Sequence, residues 1–144
     1  FHVMSYVTDN IQINKILSSI NNNLKSGGIF LFDIWFTHAV LTQRPEIKIK
    51  RVSNDVVEIV RIAEPYEYEL DNLVDVNYTY YVKNKIDKTI NCLKESHLMR
   101  HFSIPELNEF ALKNGFKLLH TEEWMTSLKP SSSSWGITVI FKKL

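Results

Sequence analysis

Cysteine and glycine are the scarce residues of this chain. Its 144 residues hold a single cysteine, four glycines and four prolines. Cys92 has no internal partner for a disulfide and belongs to no spaced Cys or Cys/His set, which excludes a disulfide framework and a structural zinc site. A reducing compartment, the cytoplasm, is the expectation. Average usage would supply about ten glycines. With the four at positions 27, 28, 115 and 136, no glycine-rich phosphate loop can be built. No apolar run approaches the roughly 18 residues of a membrane helix. Charge of one sign is also missing: 17 basic against 16 acidic side chains leave +1, which argues against a nucleic-acid binder.

What is present reads as one soluble α/β domain. Ile13, Ile16, Leu17, Ile20 and Leu24 recur at helical spacing, predicting an amphipathic helix over residues 9–25. Thr8 or Asp9 can cap its start, and a left-handed glycine in Ser26-Gly27-Gly28 can end it. The apolar run 29–35 is too short for a helix and suits a strand covered on both faces, hence a parallel sheet. Its first charge, Asp33, comes near the carboxyl end, where open α/β sheets bind ligands. From residue 46 the pattern alternates, predicting an antiparallel block whose long hairpin turns at 83–88 and returns over 89–102. Basic residues 44–51 and the acid-rich stretch 55–75 are expected to pair across neighbouring strands, or to offer Arg44, Lys48 and Lys50 to a phosphate. Ser103-Ile104-Pro105-Glu106 has capping-box spacing for a helix in the last third of the chain, ending at Asn114-Gly115. Strands at 116–123 and 136–142 follow, joined by a loop with four serines that is either plain surface or part of a lid.

The order of these elements, together with Phe1-His2-Val3-Met4-Ser5-Tyr6, Leu24 to Asp33 and Asn114-Gly115-Phe116, resembles the second half of a class I S-adenosylmethionine-dependent methyltransferase. The stretch 32–51, the strand Glu95-Ser96-His97-Leu98-Met99-Arg100 and Glu123-Trp124-Met125 resemble the small-molecule branch that includes aminosugar N-methyltransferases. The resemblance implies a Rossmann-like partial domain, with an α/β core at 1–45 and 102–144 and an antiparallel insertion at 46–101. The glycine-rich cofactor loop and the ribose-binding acid of that family are not found here, so the resemblance implies either that they lie upstream, in a longer protein of which this is a part, or that the chain is a degenerate remnant.

The implied cofactor is S-adenosylmethionine and the implied partner a small-molecule acceptor, a sugar, with no nucleic acid, membrane or metal. Phe1, His2 and Val3 fall where the family lines the cofactor, although His2 in its apolar context equally suits a half-buried structural residue. Tyr6 matches a position where the aminosugar enzymes carry a histidine. A phenol with a pKa of about 10 is a weak base at neutral pH, so Tyr6 either orients the acceptor by hydrogen bond or packs over the sheet edge. Asp33, Trp35, His38 and Arg100 are expected at the substrate, Trp35 otherwise being a core plug. Glu95 and His97 share a strand face and form the candidate acid–base pair. His97 and His101 would stand about 13 Å apart on a strand, too far to share a metal. The insertion, with its tyrosines at 78–81, would supply a homodimer contact or simply pack as a sheet. Two other classes remain open at this stage: a non-catalytic interaction module, and a different nucleotide-binding α/β enzyme.

Overall fold

The structure is a computed structural model describing residues 1–144. Contacts divide the chain into two compact units, residues 1–44 with 99–144, and residues 45–98.

The first unit opens with a short 3-10 turn, Val3–Tyr6, followed by α1 (Asn10–Asn23). Asp9 proves to be the cap, its carboxylate accepting the Gln12 N–H at 2.9 Å. The far end differs from expectation. Leu24 closes the helix in an extended conformation, and Gly27, at φ 75°, serves the separate turn that leads into β1 (Ile29–Phe36). β1 is not covered on both faces. Phe32, Ile34 and Phe36 are buried while Ile29 and Leu31 are 46% and 61% exposed, the alternation of a strand with one open face. Its neighbours also differ. It runs antiparallel to β7 (Gly136–Lys143) from Ile29/Lys142 to Trp35/Gly136, and its parallel register with β5 (Ile90–Phe102) is made at Trp35/His101 and Phe36/Phe102.

The buried face of β1 packs with Ile13 and Leu17 of α1, Leu107, Phe110 and Ala111 of α3 (Ile104–Lys113), Phe116 of β6 (Phe116–Glu123), and Ile137, Val139 and Phe141 of β7. The predicted capping box is present: the Glu106 N–H donates to Ser103 Oγ and the Ser103 N–H to the Glu106 carboxylate. A helix without a sequence signal, α2 (Thr37–Gln43), follows β1 directly. Strand order in this unit is β5-β1-β7-β6.

The second unit is antiparallel, in the order β2-β3-β4-β5, with β2 at Lys48–Ser53, β3 at Val57–Tyr68 and β4 at Leu73–Asn84. The basic stretch and part of the acid-rich stretch do lie on paired strands, β2 and β3, but the register does not set their opposite charges face to face. Lys48 lies opposite Ala63, Arg51 opposite Val60, and Lys50 opposite the like charge of Arg61.

Candidate functional site

Chemistry-bearing side chains gather in two places, one in each unit. In the first unit they stand at the carboxyl end of β1. The chain enters this edge through His2, which has the left-handed backbone φ 59°, ψ 34°. The His2 backbone N–H donates to Asp33 Oδ2 at 2.9 Å, and its ring Nδ1 lies 3.2 Å from the same oxygen without hydrogen-bond alignment. Burial lowers the His2 imidazole below its usual range, more than the Asp33 carboxylate raises it. Three residues on, the buried Ser5 hydroxyl accepts the Trp35 N–H at 2.9 Å. Tyr6 follows, 49% exposed.

Tryptophans surround this entry. Trp124, after β6, meets the Phe1 ring edge-on at 4.8 Å and the His2 ring at 5.9 Å. Trp135, before β7, meets Trp35 edge-on at 5.9 Å. Gln43 of α2 ties down the loop between them, its amide nitrogen donating to the Ser132 carbonyl and its amide oxygen accepting the Trp135 Nε1–H. The serine run is internally bonded: Ser134, buried, donates to Glu123 Oε2 at 2.7 Å. Trp124 and Trp135 were not singled out as site residues from the sequence. The available signal was positional, since each abuts a strand boundary at the same edge as Trp35.

Among the expected site residues of this unit, His2 is bound to Asp33, Phe1 packs on Trp124 and Trp35 is tied to Ser5, while Val3 and Tyr6 lie exposed in the same turn; exposed His38 sits at the start of α2 with its ring 6.1 Å from that of Phe36. Arg100 requires correction as a substrate contact. It is buried, and its guanidinium donates to the Thr8 carbonyl at 2.9 Å, to Asn10 Oδ1 at 2.8 Å and to the Glu106 carboxylate. It joins the first turns of α1 and α3. His101, also buried, has its Nδ1 2.9 Å from Thr37 Oγ1, and burial with the neighbouring Arg100 charge lowers it to about 4.

The second unit holds the other group. His97 Nε2 lies 3.3 Å from Glu95 Oε2, and the His97 ring meets Tyr78 edge-on at 5.2 Å. Tyr78 and Tyr80 lie side by side with centroids 6.0 Å apart, and the Arg61 guanidinium sits 5.3 Å over the Tyr78 ring. The Tyr80 phenol is pushed up, first by burial and then by the Glu95 carboxylate to which it donates. Glu95 and His97 thus form the side-chain pair that strand alternation predicts.

No family model and no curated protein matches the sequence. Solved structures do match. The chain is similar to an S-adenosylmethionine-dependent methyltransferase from Clostridium acetobutylicum ATCC 824, at 20% identity and TM-score 0.80 over 99% of this chain and 55% of that one. It is similar to CalS10, an amino pentose methyltransferase from Micromonospora echinaspora, at 13% identity and TM-score 0.75 over 100% of this chain and 56% of the other. The sugar N-methyltransferase KedS8 from Streptoalloteichus sp ATCC 53650 gives 11% identity and TM-score 0.75 over 99% and 53%. The fold is that of a class I methyltransferase. The chain spans about half the length of these class I structures.

Proposed function

We propose that the full-length protein transfers a methyl group from S-adenosylmethionine to a small molecule, a sugar or nucleotide-linked sugar, at an amine or a hydroxyl. The observation that carries this reading is the likeness, over nearly the whole chain, to an amino pentose methyltransferase and a sugar N-methyltransferase. The aromatic edge at Phe1, Trp35, Trp124 and Trp135 supports it, because flat rings suit both a sulfonium cation and the apolar face of a sugar.

The cofactor supplies an electrophilic methyl on a positively charged sulfur. What this chain's residues would contribute is alignment of the acceptor and removal of its proton. Phe1, His2 and Val3 are assigned to the cofactor side. Tyr6 is assigned to orient the acceptor by hydrogen bond, with Trp35 and His38 as further acceptor contacts. Glu95 and His97, paired within the second unit, are kept as the candidate acid–base pair.

Incubating the full-length protein with isotopically labelled S-adenosylmethionine and a panel of amino sugars and nucleotide-linked sugars tests the acceptor class. Label in at least one sugar is expected; transfer only to acceptors lacking a sugar would overturn that part. A second reading, a non-catalytic module that dimerises through its antiparallel unit, is favoured by the exposed apolar side chains Ile47 and Ile49, two residues apart at the start of β2. A dimer by light scattering that also ignores S-adenosylmethionine would favour it.

A further inference from the structure

The segment Phe1–Tyr6 reaches the end of β1 through side chains. Asp33 accepts the His2 N–H, and Ser5 accepts the Trp35 N–H, each at 2.9 Å. Between these two ties the turn closes on itself, with the Ser5 N–H donating to the His2 carbonyl at 2.9 Å and the Val7 N–H to the Met4 carbonyl at 3.1 Å. A histidine in left-handed backbone conformation persists only where its surroundings over-determine it. Here they do. The amide is held by a carboxylate, the carbonyl by Ser5, and the ring is wedged between Trp124 and Gly136, where a Cβ would come within 2.6 Å of His2 Cε1.

We propose that Asp33 is a positioning residue whose carboxylate latches His2 and so, with Ser5, fixes where the turn presents Tyr6. This differs from the direct substrate contact that the sequence suggests for Asp33. It rests on the methyltransferase reading above for its functional consequence, but the latch itself does not. The chemistry favours the backbone amide as the partner that matters. A hydrogen bond to a charged oxygen is among the stronger kinds, and the imidazole of His2, lowered by burial, brings no full charge at neutral pH. Serine at position 5 is the matching element on the other side, because a buried hydroxyl there satisfies a strand N–H that has no backbone partner in the turn.

The test compares Asp33→Ala with Asp33→Asn in the full-length protein, reading His2 amide hydrogen exchange and steady-state methyl transfer together. In Asp33→Ala the amide should exchange at least about tenfold faster, as loss of one charged acceptor implies. Its kcat should fall while acceptor KM stays within about twofold, the pattern of a lost transition-state interaction. Asp33→Asn keeps an oxygen acceptor of the same shape and should restore both protection and kcat. Unchanged His2 exchange in the alanine variant would overturn the latch. So would an asparagine variant with native His2 protection but a raised acceptor KM, which would place Asp33 on the acceptor. If the alanine variant does not fold, the asparagine variant decides by that same comparison. If the native protein transfers no methyl group, the exchange measurement still decides the latch, and the two failures stay distinct.

Discussion

Gly136 lacks a side chain where one would strike His2, since a Cβ there would stand 2.6 Å from the imidazole Cε1. Gly136→Ala should therefore displace the ring from Trp124, visible as loss of the ring-current shift on His2 Cε1–H, and should lower methyl-transfer activity at least about tenfold through misplacement of the turn. An unchanged shift would contradict the close approach. His101 makes a pH prediction. Its folded pKa is lowered to about 4 from 6.5, so below about pH 6.5 the unfolded chain binds a proton that the folded one refuses. Stability is complete above that range and falls as pH drops towards 4, by about 3 kcal/mol in all. Lowered His2 acts in the same direction. Urea melts between pH 7.5 and 4.5 should show the loss, and a His101→Asn variant should show a flatter profile. At this scale the sequence made the Glu95–His97 pair legible, because a period of two puts both on one face. Arg100 misled, since nothing in a strand sequence says that a guanidinium will be claimed by two helix starts.

Arg100 also shows how the elements of the first unit are held. One guanidinium satisfies the Thr8 carbonyl and Asn10 at the start of α1 and Glu106 at the start of α3, while Asn114 Nδ2 reaches Asn14 Oδ1 at 2.8 Å farther along the same two helices. Glu106→Gln leaves the buried cation without its counter-charge and should cost about 3 kcal/mol, read as a lowered urea midpoint at unchanged slope. A cost below about 0.5 kcal/mol would show the pair to be immaterial. α1 and α3 were legible because each carries both an apolar stripe and a capping residue. α2 was not, for physical reasons: it has seven residues, is preceded by Phe36 without any side-chain cap, and ends at Arg44 with φ 58°. Its helical state follows from burial of Ala39 and Val40, which is tertiary information. The apolar run 29–35 misled similarly. A strand with Phe, Leu, Ile and Trp on both faces reads as doubly covered, yet Ile29 and Leu31 stay open.

At the scale of the molecule, that open face and edge have a consequence. β1 is hydrogen-bonded to β7 along its length, but its register with β5 is confined to Trp35 and Phe36. An apolar strand with a free edge invites further pairing, so this 144-residue chain expressed alone should self-associate, and a monomer by light scattering with a cooperative melt would contradict that. The order of elements made the methyltransferase-like fold readable, and the two-unit division with an antiparallel segment at 45–98 accompanies it. The edge-on tryptophans and the His2–Asp33 contact were invisible, because they join residues 31 to about 120 positions apart. Methyl transfer by the full-length protein requires that it bind the cofactor. Isothermal titration of the full-length, folded protein with S-adenosylmethionine is the direct measurement: saturable binding in roughly the micromolar range is expected, and an intact protein that releases no binding heat and shows no thermal stabilisation by S-adenosylmethionine would contradict the proposed function.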